Sequence, residues 1–106
     1  MKTNIGKIPF LYPMPMSIVG TVVNGKPNFM AVGWFSPVNH NPPMIGIALG
    51  NGKHTSIGIK ENKAFSICMP NRDLPVKTDY AGIVSGKKVD KSGLFNVFYG
   101  ESEHAP

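Results

Sequence analysis

Residues 17–34, SIVGTVVNGKPNFMAVGW, decide the fold. The run Ser17 to Val23 is rich in β-branched side chains and leads into Asn24-Gly25, the strongest two-residue hairpin signal. An apolar return strand then follows Pro27, from Asn28 to Trp34. A two-residue turn joins antiparallel strands, whereas parallel neighbours need a long crossover. The segment therefore argues against a doubly wound parallel sheet. Alternation places Phe29, Ala31 and Gly33 on one face and Met30, Val32 and Trp34 on the other. All six are apolar or small, so this strand is expected to be covered on both sides, as in a barrel wall.

Working outward, FSPVNHNPP (35–43) carries three prolines and is expected to be irregular loop. Met44 to Leu49 is a short apolar run, expected as another buried strand and broken by Gly50-Asn51-Gly52. Thr55 to Asn62 is expected to form a short helix capped by Thr55. Ala64 to Met69 reads as a strand stopped by Pro70. Leu74 to Ser85 reads as a helix, with Pro75 near its start and Gly86 beyond its end. The tail contains LFNVFYG (94–100), aromatic and strand-like, before the polar ESEHAP. Strands interrupted by short helices give an α+β class, mainly β: a β-barrel with short peripheral helices in one domain, 1–106.

The totals agree with a single core. The chain has 106 residues, 42% hydrophobic and 16% charged, with 12 Gly and 10 Pro spread along it, which implies many chain reversals. The lone Cys68 lies in the apolar run FSICMP and is expected to be a buried, inert thiol. No apolar stretch reaches the length of a membrane span, and MKTNIGKIPFLYPMPM lacks the continuous apolar block of a signal peptide. A cytoplasmic location is the expectation. The formal charge of +5 would attract phosphate-bearing partners in general. In sequence, however, the lysines are scattered, Arg72 is the one arginine, and no aromatic-basic interleaving supports base stacking. A lysine-rich surface is favoured over nucleic-acid binding.

Ligand-like features gather in residues 28–55. Trp34 ends a strand beside a proline-bounded loop and offers a face for a planar ring, although a lone indole at a strand end is more often an apolar plug. The small residues of Met30 to Gly33 let a ligand approach the main chain, although taken alone they are better explained by close packing of one strand on another. The turn from Gly50 to Thr55 combines glycine N–H groups, Lys53 and a hydroxyl at a helix start. A phosphate site and an ordinary capped turn fit it equally. There is no phosphate-loop or dinucleotide glycine motif. His40, His54 and His104 have no metal-ligand spacing, the aspartates Asp73, Asp79 and Asp90 no evident pairing, and Ser36 and Ser56 no nucleophile-elbow context. Chemistry at such a site would come from an organic cofactor.

The order of three blocks carries a family resemblance: PMPMSIVGTVVNGKPNFMAVGWFSPVNHNPPMIGIALGNGKHT (13–55), AFSICMP (64–70) and DYAGIVSGKKVDKSGLF (79–95). Together they resemble the flavin reductase-like proteins with an FMN-binding split barrel, on the flavoredoxin branch, over about Pro9 to Phe95. The resemblance implies a split β-barrel, a homodimer, FMN held non-covalently near the subunit interface, and NAD(P)H as a candidate electron donor. It implies a cofactor-binding set of Met30, Ala31, Val32, Gly33 and Trp34 at the ring, and Ala48, Leu49, Gly50, Lys53, His54 and Thr55 towards the phosphate. Asp79, Tyr80, Gly82, Ser85, Gly86 and Lys91 match a family segment near cofactor and interface, with contacts unassigned.

Three departures stand out. Ala31 replaces a threonine common in relatives, Gly50 and Asn51 stand where a basic residue is usual, and family domains continue beyond this length. The barrel is therefore expected to be incomplete at the C-terminus, with strand edges that need cover. The function implied is electron transfer between a reduced donor and an acceptor, by a reductase or a carrier. The alternatives are a small basic β-barrel binding nucleic acid or another polyanion, and a truncated, inactive dimeric remnant.

Overall fold

The hairpin forms as its sequence demands. In the computed structural model, which describes residues 1–8 and 12–106, strand β1 (Ser17–Val23) pairs antiparallel with β2 (Lys26–Val32). Asn24 (φ 52°) and Gly25 (φ 78°) supply the two positive φ angles of a type I′ turn. Pro9, Phe10 and Leu11, which open the family resemblance and belong to the segment weighed as a signal peptide, lie outside the described residues.

Strand β2 starts and stops two residues earlier than the sequence suggests. Pro27 is admitted because it faces Val22 in the pair next to the one that closes the turn, so its missing N–H points to the free sheet edge. After β2 the chain runs through β3 (Phe35–Asn39), β4 (Met44–Ile47), α1 (His54–Asn62), β5 (Ser66–Cys68) and α2 (Pro75–Ile83). One sheet has the order β2-β1-β5 and the other is the β3–β4 pair. The two sheets do not close on each other, as befits a split barrel. The class is mostly strand with two short helices.

Central strand β1 is the keel. Ile18, Val19 and Val23 are buried, joined by Phe29 and Val32 of β2 and Ala81 of α2. Its buried polar side chains are satisfied: Ser17 donates to Val32 O at 2.8 Å and Thr21 to Ala64 O at 3.1 Å. Helix α1 crosses so close to β1 that a Cβ on Gly58 would come within 2.6 Å of Val22 O. Asn62 Nδ2 donates to the same carbonyl at 2.6 Å, and Lys63, in the left-handed region, closes the helix with N–H to Ile59 O.

Several expectations are corrected. Residues 35–43 are not all loop: β3 occupies Phe35–Asn39, with Pro37 accommodated at a register shift on a two-stranded sheet, where it costs no interior ladder bond. Strand β4 is not buried, since Met44 and Ile45 are each 50% exposed. β2 is not covered evenly on both faces; Phe29 and Val32 are buried on opposite sides, while Met30 and Ala31 between them are only half-buried. LFNVFYG makes no strand. Phe95 instead sets its ring edge-on to Phe29, centroids 5.1 Å apart. Cys68 is exposed at the end of the three-residue β5, not buried. Thr55 does not cap α1, because the helix starts one residue earlier with Lys53 as its extended N-cap and no side-chain cap bond. Among the described residues no helix is long and apolar enough to cross a membrane, and no cluster of His, Cys, Asp or Glu is fit for a metal.

Candidate functional site

Two half-buried residues of β2 mark the site. Met30 faces a cleft of about 190 Å³ between the start of α1 and the chain leaving α2. Ala31, pointing the other way, lines a larger apolar groove of about 640 Å³ beside Met16, Pro75 and Thr78. Gly82 and Ile83 border both, so the two cavities adjoin at the end of α2. At Gly82 a Cβ would lie 3.1 Å from that of Ala31, which is how closely the helix approaches the strand.

The cleft is electropositive for three reasons. Lys53, His54 and Thr55 bring to it the N-terminal end of α1, whose first N–H groups have no side-chain cap. Lys53 adds an exposed cation. The third source is Lys91, which is 4% exposed. Its Nζ donates to Phe29 O at 3.1 Å and to Ala81 O at 2.8 Å. An ammonium has three protons, and among the described residues Lys91 has no ion pair. Burial, followed by the charge of Lys53, holds its pKa below the ordinary lysine value. A buried cation held only by carbonyls is an unfavourable arrangement until an anion arrives.

Local sequence explains how Lys91 gets there. Ser85 orders the turn after α2: its Oγ accepts from Lys87 N, and its carbonyl accepts from Lys88 N and Val89 N. Gly86 then passes tightly against α1; a Cβ there would fall 2.4 Å from Asn28 Oδ1 and 2.5 Å from His54 Cδ2. Asn28, buried on β2, donates to Thr55 Oγ1 at 2.8 Å, which leaves the Thr55 O–H as a donor. Among the described residues, His54 Nδ1 is buried with no hydrogen-bond partner, as is Thr78 Oγ1 at the apolar groove.

Of the residues singled out from sequence, Met30, Lys53, His54 and Thr55 meet in the cleft and Ala31 lines the adjoining groove. Val32 turns into the core, so only its backbone is available to a ligand. Trp34 is 54% exposed and Gly33 rests near Met16 Cε; Ala48 N donates to Trp34 O at 2.9 Å, tying the end of β4 to that corner. Leu49 lines a separate depression with Ile59 and Phe65. Gly50 belongs to the turn that holds α1, its carbonyl accepting from Ser56 Oγ and Lys53 N. Sequence reasoning missed Asn28, Ala81 and Val84, and gave Lys91 no contact. A polar Asn28 in an otherwise apolar strand was the available signal; nothing local marks Lys91.

Comparison with known proteins gives a consistent result. The family model described as the flavin reductase like domain matches residues 10–106. A flavoredoxin structure from Methanosarcina acetivorans is 52% identical with a TM-score of 0.95, covering 100% of this chain and 57% of its own. A flavoredoxin of Desulfovibrio vulgaris (Miyazaki F) is 38% identical with a TM-score of 0.79, over 86% of this chain and 50% of its own. An uncharacterized protein of Archaeoglobus fulgidus is 29% identical over 93% of this chain and 55% of its own length. The chain thus spans about half the length of these relatives.

Proposed function

This chain belongs to the flavin reductase-like domain family, and from that premise we propose that it is an FMN-binding flavoprotein that passes electrons from a reduced donor to an acceptor. The observation that carries the reading is the buried, carboxylate-free Lys91 beside the uncapped N-terminus of α1. A phosphate monoester supplies the charge that this corner lacks, and Lys53 and the Thr55 hydroxyl complete the set of donors. The likeness to two flavoredoxins adds support from outside the site.

The flavin ring would lie along Met30 and Ala31, with the groove beside Ala31 giving it an apolar wall. Ala31 offers no hydroxyl and Val32 no side chain, so contacts there run through the β2 backbone. Redox chemistry is what FMN supplies when bound. The protein's own residues orient the ring, neutralise the phosphate and exclude water; no side chain is required as general acid or base. NAD(P)H is the proposed donor and the cytoplasm the proposed setting. The proposed assembly is a homodimer, in which a second copy covers the exposed apolar side chains of Trp34, Val38, Met44 and Ile45.

An absorbance spectrum of the purified protein, followed by titration with FMN, tests the cofactor. Flavin bands at near-stoichiometric occupancy are expected, and failure to retain or rebind FMN removes the reading. Oxidation of NADH or NADPH by the loaded protein separates reductase from electron carrier: turnover with neither nucleotide leaves the carrier.

A further inference from the structure

The lysines that look scattered in sequence converge in space. A trough of about 410 Å³ runs between the β1–β2 turn and the chain that follows α2, bordered by Lys26, Lys87, Lys88 and Lys91 against one carboxylate, Asp90. It backs onto the cleft without opening into it. His54, Gly86 and Lys91 line both cavities, and the Asn28 and His54 side chains pack so tightly on Gly86 that a Cβ there would fall 2.4 and 2.5 Å from them. The trough is therefore a surface of its own, and what it meets need not be what fills the cleft.

We propose that the trough is a docking surface for a protein partner that presents a carboxylate-rich segment. The inference goes beyond the flavin reading and does not depend on it. The charges are complementary to such a segment. Lys26 Nζ reaches one oxygen of Asp90 at 3.1 Å and Ser92 N donates to the other at 2.9 Å, so the single negative charge of the trough is already matched. Lys87 and Lys88 are exposed and have no ion pair among the described residues, so their charge is available to a partner.

The free cations also stand on a preset backbone. Ser85 Oγ accepts from Lys87 N at 3.2 Å, and the Ser85 carbonyl accepts from Lys88 N at 3.0 Å and Val89 N at 2.9 Å. The Lys26–Asp90 pair then ties this turn to the start of β2. A partner therefore meets cations on an ordered turn rather than a loop it must order itself. The same bonds argue against a compact phosphate as occupant, because the N–H groups of residues 87–89 turn inward to Ser85 and leave no backbone cradle for it. Nucleic acid fits less well too. No arginine lines the trough to grip a phosphate in bidentate fashion, and no Phe, Tyr or Trp lines it to stack on a base. A carboxylate-bearing protein surface needs neither. Ammonium groups on flexible stems pair with carboxylates spread along a chain, in an association that is fast, transient and sensitive to salt.

Fluorescence anisotropy of a labelled poly-L-glutamate peptide with the purified full chain, at low and moderate salt, tests the proposal. Lys87→Glu/Lys88→Glu reverses the charge of the exposed turn and leaves its backbone bonds to Ser85 in place. Lys2→Glu/Lys7→Glu makes the same change in net charge on exposed residues outside the trough. The first variant should weaken the peptide about tenfold or more and flatten its salt dependence, and the second should weaken it less than about threefold. Lys87→Ala/Lys88→Ala, the milder change, should fall between them. Carbodiimide coupling of the peptide should mark Lys87 and Lys88 in preference to Lys2 and Lys7. Equal losses in the two charge-reversed variants would mean attraction by net charge alone and would overturn the docking surface, as would no binding to the unaltered protein at low salt. Oligo-dT of the same charge, bound more tightly than the peptide and with the same dependence on Lys87 and Lys88, would give the trough to nucleic acid instead. Displacement of the peptide by equimolar inorganic pyrophosphate would give it to a small phosphate ligand, and displacement by FMN would put the peptide in the cleft; each of these results overturns the proposal.

Discussion

The β2-β1-β5 sheet and the β3–β4 hairpin are made from similarly apolar segments, yet they end in opposite environments. Val19 and Thr21 of β1 are fully buried, clamped by α1 on one side and by both neighbouring strands. On the hairpin, Val38 is 64% exposed, and Met44 and Ile45 are 50% exposed. The difference comes from what crosses each sheet. Gly58 lets α1 seat directly on β1, while no helix packs on β3 or β4 to any comparable extent. One region therefore holds the folding free energy and the site, and the other presents an apolar surface, the one the proposed homodimer would cover.

Replacing a glycine in each region gives the largest expected contrast. Gly58→Leu drives a side chain into Val22 O and the Thr21 methyl, and should cost about 3 kcal/mol or more, or abolish folding. Gly46→Ala presses only on the exposed Val38 side chain, 3.0 Å away, with Ser36 O at an ordinary 4.0 Å, so a loss under about 1 kcal/mol is expected. Urea denaturation of both variants decides it, and equal losses would break the contrast.

Val19→Ala against Val38→Ala sharpens the comparison at lower amplitude. The first empties a fully buried position and should cost about 2 kcal/mol. The second should leave monomer stability within about 0.5 kcal/mol while weakening self-association, read by sedimentation as a raised dimer Kd. A stability loss at Val38 matching that at Val19 would mean that the hairpin is packed after all.

Inside the packed region Lys91 is the exception, a buried cation without a carboxylate among the described residues. Lys91→Met should stabilise the ligand-free protein by about 1 kcal/mol and at the same time weaken FMN at least tenfold. The pH dependence has a definite sign. Because the folded-state pKa lies below 10.5, the native chain gives up its proton first, and ligand-free stability rises as pH climbs from the lowered value towards 10.5. Thermal melts across that window should show the rise in the unaltered protein and its absence in Lys91→Met.

What could be read from sequence follows the range of the interactions involved. The type I′ hairpin depends on Asn24-Gly25 and its flanking strands, all local, and it was legible. So was the α2 start at Pro75. Pro37 misled because a proline forbids an interior strand, not one on a two-stranded ribbon. The site was legible as a segment but not as a shape. Thr55 was placed at the helix start, but its hydroxyl is engaged by Asn28, 27 residues away in sequence. Lys91 reaches the cleft only because Ser85 turns the chain and Gly86 passes close to His54. Neither event leaves a periodic trace.

The smallest effect concerns the rim of the packed region, where Lys26 at the start of β2 meets Asp90 at 3.1 Å. Ser92, through its side chain and its N–H, and then Lys26, lower the Asp90 pKa from 3.8 to about 2. A depressed carboxylate contributes stability above the unfolded value of 3.8 and loses it as pH falls through about 2. Both partners are well exposed, so water screens the pair and its worth in stability is slight. Thermal melts of the unaltered protein and of Asp90→Asn should therefore coincide below pH about 2 and separate only slightly above about 4.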